Sequence, residues 1–116
     1  MPRLVRGISL MQTGTMIARN SVIAVYMMAS RKRGPIYTGV TAQLINRVFQ
    51  HRNGLTEGFT RQYNCRRLVW FEIHDMIAAA IHREKRLKKY PREWKVNLIE
   101  AGNPEWIDLW NQIARP

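Results

Sequence analysis

A chain of 116 residues forms one domain, large enough to bury a core without disulfide or metal staples. Its 46% hydrophobic content includes no apolar run near the roughly 18 residues of a membrane helix, and its single cysteine, Cys65, excludes an internal disulfide. Nineteen Lys and Arg against eight Asp and Glu give a net charge of +11 and a pI near 10.9, so the expected partner is a polyanion.

The charge is uneven. No acidic residue precedes Glu57, whereas Arg3, Arg6, Arg19, Arg31, Lys32, Arg33, Arg47 and Arg52 all do. Nucleic acid is the commonest cytoplasmic polyanion, and a reducing cytoplasm suits a chain with one thiol, read here as a small buried residue at a strand start. Residues 1–20 carry arginines, no acidic side chain and no sustained period, and lack the apolar centre of a secretory signal. They read as a flexible basic extension, with Met16 as a possible later start, ahead of a domain over 21–116.

In chain order, Val22 to Ala29 is an apolar run of strand length, Ser30 to Pro35 a basic turn, and Ile36 to Val40 a second strand, together a β-hairpin. Thr41 is placed to cap a helix with the stripe Leu44, Ile45, Val48 and Phe49, which Asn53-Gly54 ends. Residues 55–66 read as a polar loop, and Leu68 to Glu72 as a third strand. Asp75 is placed to cap a helix from Met76 to about Tyr90, and Pro91 to open another that stops at Gly102. A last helix carries Trp106, Leu109, Trp110 and Ile113 on one face. The order is β-β-α-β-α-α-α, an α+β domain.

Glu84 is the residue out of place. At about 100° per residue it falls within the apolar stripe of Ile77, Ala80, Ile81 and Leu87, while Arg83, Lys85, Arg86 and Lys89 take the solvated side. A carboxylate facing a core must be paired or bind a cation, and a pair with Lys88 and a metal site are about equally good readings. Arg47 and His51 lie one turn apart on a helix shoulder beside the Leu44/Val48 stripe, a pair suited to phosphate chemistry but more often a solvated face. Tyr26 and Tyr37 read as packing or as water-orienting phenols, and Gly39 as a bend or close approach. His74 and His82 lack zinc spacing. Arg31, Lys32, Arg33, Arg52, Lys85, Lys88 and Lys89 are the expected contacts to a phosphate backbone.

Taken together, Ala24-Val25-Tyr26, Tyr37-Thr38-Gly39, Arg47, His51 and Glu84 resemble the GIY-YIG endonuclease superfamily, and in particular its small stand-alone bacterial members, over about Val22 to Trp110. Three departures stand out. Gly-Ile-Tyr has become Ala-Val-Tyr and Tyr-Ile-Gly has become Tyr-Thr-Gly, and Val40 occupies a position where several nuclease members carry lysine. The resemblance implies a small, largely antiparallel three-stranded sheet flanked by helices. It implies metal-dependent hydrolysis of nucleic-acid phosphodiesters, with Glu84 holding Mg²⁺ or Mn²⁺, Arg47 on the phosphoryl oxygens, and Tyr37 or His51 with Tyr26 handling the water. It also matches Asn97, read in the stripe of Trp94, Leu98 and Ala101, to the family asparagine. DNA is the expected substrate, and a monomer, alone or within a repair complex, the expected state. The alternative is a binding or ribosome-accessory module that keeps the fold without cleavage.

Overall fold

The computed structural model describes residues 21–114, so the expectation of a flexible extension over 1–20 lies outside the described residues. Strand β1 (Ile23–Ala29) is the middle of an antiparallel sheet, paired on one side with β2 (Ile36–Thr41) and on the other with β3 (Arg67–His74). Helix α1 (Leu44–Arg52) and the single turn α2 (Phe59–Gln62) join β2 to β3; α3 (Ile77–Lys88), α4 (Arg92–Gly102) and the short α5 (Trp110–Ile113) follow. The α+β class and the three-stranded antiparallel sheet are as the sequence implies.

β1 is central because both of its faces are apolar, and six of its seven residues are buried. Val25, Met27 and Ala29 pack with Val69, with Ala80 and Leu87 of α3, with Val96 and Ile99 of α4, and with Trp106. Ala24, Tyr26 and Met28 point the other way, toward Leu44 and Val48 of α1, Cys65 and Leu68. A bulge in the β1–β3 pairing, where Met27 faces Trp70 but Met28 faces Leu68, puts Val69 and Trp70 together on the α3 side.

Several local expectations change. Thr41 ends β2 instead of capping α1; its Oγ1 accepts the backbone N–H of Gln43, which stands at the cap position. Asp75 does not cap α3, whose cap residue is Met76. On α3 the buried positions are Ala80, Glu84 and Leu87, while Ile77 and Ile81 are exposed. The loop over 55–66 contains the turn α2.

The stripe expected over Trp106 to Ile113 is not one helix face. Trp106 is fully buried in the α3–α4 core with φ at +56°, and only Trp110–Ile113 is helical. Between them the chain rounds the edge of β3: Leu109 N–H donates to Leu68 O at 2.8 Å, and Asp108 Oδ1 accepts from Leu68 N–H at 3.2 Å. Leu109, Trp110 and Ile113 therefore pack on the α1 side, and one apolar pattern serves both faces of the sheet.

Candidate active site

The register of the hairpin builds the site. Tyr26 faces Gly39 across β1 and β2, and Tyr37 faces Met28 two residues along, so both phenol rings lie on the α1 side. Their centroids are 6.2 Å apart. Gly39 makes this possible: a Cβ there would sit 2.6 Å from the Tyr26 hydroxyl and 2.8 Å from a Tyr37 ring carbon. The required glycine is thus explained by the two rings that close over it.

α1 lays His51 against both tyrosines, with ring centroids at 5.5 Å from each. His51 does not stand beside the helix stripe but continues it: Leu44, Val48 and His51 are the buried residues of α1, and Phe49 is exposed. Asn53 Nδ2 donates to Phe49 O, and Gly54 takes φ +67° just beyond, so the helix stops where the sequence indicated.

The imidazole is held at both nitrogens. Tyr26 Oη lies 2.9 Å from Nε2, and Thr56 Oγ1 lies 3.3 Å from Nδ1; Thr56 in turn bonds Thr60 Oγ1 at 2.7 Å. Burial, aided by the nearby Arg47 charge, lowers the His51 pKa to about 4, so the ring is neutral at pH 7. Burial and the neighbouring Tyr37 push the Tyr26 phenol well above the usual tyrosine range, more than the Arg47 guanidinium pulls it down. Tyr26 therefore stays protonated, and the neutral imidazole carries one proton, so one ring nitrogen donates and the other accepts across these two bonds. Tyr37 is only half-buried, and of the three rings it has the access to solvent.

Arg47, one turn before His51, is half-buried and donates from Nη1 to Gln50 Oε1 at 2.9 Å. Tyr26, Tyr37, Arg47 and His51 thus converge. Thr56 and Thr60 complete the buried network, and sequence reasoning missed them; two threonines at i, i+4 in a polar loop give little signal until a buried histidine needs a partner.

Glu84 is placed differently. It is 8% exposed on α3, which packs on the opposite face of the sheet, and its side-chain partner among the described residues is Lys88 Nζ at 2.6 Å. The ion pair that the sequence offered as one reading is present. No hydrogen bond or ion pair joins Glu84 to the other four among the described residues. Asn97 is exposed: α4 packs through Val96 and Ile99, and of the stripe read for that helix only the half-buried Leu98 reaches the core, while Trp94 and Ala101 face solvent. The buried asparagine is Asn103, whose Nδ2 donates to Val69 O and Ile107 O while Oδ1 accepts from Ile107 N–H.

The basic residues divide. Lys32 pairs with Glu105 at 3.0 Å and Arg33 with Glu100 at 2.9 Å, and Arg92 donates to the Arg33 and Gly34 carbonyls, so the hairpin turn is fastened to α4. That contact, with a bond from Trp106 Nε1, holds the Glu100 carboxyl down at about 2. Arg52 pairs with Asp108 and lies over the Trp110 ring at 5.0 Å. Arg31, Lys85 and Lys89 are exposed and make no ion pair among the described residues.

A divalent ion held wholly by protein needs several acidic or histidine ligands, and no group of three such residues could hold one among the described residues. A single carboxylate does suit Mg²⁺ or Mn²⁺ shared with a phosphate, because Mg²⁺ keeps several waters and takes one or two carboxylates. Glu84 offers one such carboxylate, and the half-exposed Lys88 that now pairs with it would have to give way to the ion.

A hairpin that presents two tyrosines over a glycine to an arginine and a histidine on the next helix defines a class. Residues 22–97 match the family model described as the GIY-YIG catalytic domain, and the chain belongs to that family of nuclease-like domains. Among its relatives are UPF0213 proteins. One from Haloquadratum walsbyi is 40% identical over 67 residues, covering 58% of this chain and 75% of that protein. One from Staphylococcus saprophyticus is 32% identical over 71 residues, covering 61% and 87%. One from Clostridium perfringens is 36% identical over 66 residues, covering 57% and 71%. No solved structure matches the chain at comparable significance. No helix among the described residues is long and apolar enough to cross a membrane.

Proposed function

We infer that the protein hydrolyses phosphodiester bonds of nucleic acid, with DNA as the first substrate to test. The observation that carries this reading is the convergence of a solvent-reaching phenol, Tyr37, with a half-buried guanidinium, Arg47, over a neutral, fully hydrogen-bonded His51. Arg47 is suited to hold the phosphoryl oxygens, where charge grows in the transition state. Tyr37 is suited to orient the attacking water and take its proton. His51 has both ring nitrogens engaged, and its role is to fix Tyr26 beside Tyr37.

Glu84 would hold Mg²⁺ or Mn²⁺, which when bound neutralises charge on the leaving oxygen. β2 is an outer strand of the sheet. A phosphodiester lying along its free edge is the placement that lets Arg47 and Tyr37 on one face and Glu84 on the other contribute together. Lys85 and Lys89, exposed on the same helix as Glu84, are suited to the flanking phosphates.

The test is a cleavage panel of branched, single- and double-stranded DNA and RNA with and without Mg²⁺ or Mn²⁺, run beside Arg47→Ala. Metal-dependent cleavage that Arg47→Ala lowers by about a hundredfold or more is the expected result. Salt-sensitive binding with no cleavage under any condition would replace this reading with the non-cleaving module.

A further inference from the structure

Beside the tyrosine cluster the molecule exposes an aromatic ladder. From Tyr37 the next ring is Phe59, with centroids 6.5 Å apart and planes within 30°, and the next is Tyr63, 4.6 Å from Phe59. Phe59 and Tyr63 are 42% and 44% exposed. Their positions follow from α2. Residues 59 and 63 are one turn apart, joined by Tyr63 N–H to Phe59 O at 2.9 Å, so they share a side. Thr60 points inward and bonds Thr56, which ties the turn to His51. The rings are thereby held outward on an anchored element. Gly58 enters the turn at φ +78°, a conformation that a side chain would strain.

Two further observations say what such a surface suits. Arg61 on the same turn and Arg66 just after it are exposed and make no ion pair among the described residues, with Glu57 the nearby acidic residue in sequence. The Arg66 guanidinium lies over Gly54, at the end of the helix that carries Arg47 and His51. Aromatic faces interleaved with unneutralised cations are the chemistry of base stacking along a phosphate backbone, and stacking needs a base that is not paired within a duplex.

We propose that Phe59 and Tyr63 form a stacking shelf for an unpaired nucleotide next to the phosphodiester held at Arg47 and Tyr37. The inference rests on the nuclease reading for the identity of the site and names its substrate class: strands with unpaired bases at the point of attack. The ladder gives the direction of the strand, from the reacting phosphate at Tyr37 outward over Phe59 to Tyr63.

The experiment is a fluorescence titration without divalent cation, using a single-stranded DNA oligonucleotide containing 2-aminopurine and the matching duplex. Stacking quenches the probe, and Tyr63→Ala is expected to weaken single-strand binding by about tenfold or more, with Tyr63→Trp restoring it. Duplex affinity should change by less than about twofold, because its bases are stacked already. Phe59→Leu, which keeps apolar bulk and removes the aromatic face, gives a second route to the same loss should Tyr63→Ala fail to fold. Absence of quenching, or an equal loss for duplex and single strand, overturns the shelf. So does a dimer of the wild type that Tyr63→Ala dissociates without any change in quenching, which would make the patch an interface between copies. Wild-type protein that quenches but never cleaves keeps the shelf and removes the nuclease reading; protein that cleaves single strands without quenching does the reverse.

Discussion

The two faces of the sheet share a strand and differ in almost everything else. On the α3–α4 side, β1 contributes Val25, Met27 and Ala29 to a closed apolar core with Leu87, Ile99 and Trp106. On the α1 side, the alternate residues of the same strand meet a buried tyrosine, histidine and two threonines whose polar atoms form one chain of hydrogen bonds. Period-two alternation thus lets seven residues build a core and a site back to back. The closed face tolerates no lost volume. The site face tolerates no lost partner, because an unpaired buried polar group costs more than the bond it made was worth.

The largest effect on stability is expected on the closed face. Leu87→Ala removes a fully buried side chain and should destabilise the fold by about 2–5 kcal/mol in denaturant melts. Cleavage per folded molecule should stay near the wild-type level, and a variant that folds fully yet loses activity would show that the packing beneath α3 also sets the reaction.

A smaller effect, with a different signature, belongs to the site face. His51 takes a proton at about pH 4 when folded, against 6.5 for a free histidine, so the unfolded chain binds the extra proton between those values. The contribution is therefore fully present above pH 6.5 and is lost as pH falls toward 4, with about 3 kcal/mol as the upper bound over that window. Urea melts at several pH values check this, and His51→Gln should flatten the slope. The same slope in the variant would assign it to other groups.

Glu84→Gln is expected to change stability least. Lys88 is half-exposed, so losing its partner leaves a hydrated ammonium and not a stranded buried charge, and the cost should stay within about 1 kcal/mol. Thermal melts of the variant measure it. A loss several times larger would make the pair a structural element of the closed face. The informative readout at this position is then metal-dependent cleavage, which the variant should abolish.

How much of this was legible in the sequence follows the same division. The hairpin, α1, α3 and α4 could be read from apolar runs and from Pro91 and Gly54, since local periodicity and backbone preference set them. Glu84 was legible as a carboxylate in an apolar stripe, and Tyr26, Tyr37, Arg47 and His51 as an ordered set. What escaped was whatever depends on contacts between distant segments. His51 looked like a shoulder residue because nothing local announces Tyr26 and Thr56 as its partners. The Trp106 to Ile113 spacing mimicked one helix because its residues serve opposite faces of the sheet. The basic hairpin turn looked free, yet Glu100 and Glu105, some 70 residues on, neutralise part of it.

The central claim is that the reaction is worked by Tyr37, the phenol with access to water. Tyr37→Phe tests it most directly, because it removes one oxygen and keeps the ring that packs on His51 and Phe59. Single-turnover cleavage should fall by about a hundredfold or more while the thermal midpoint stays near that of the wild type. Cleavage at the wild-type rate by the well-folded variant would contradict the account.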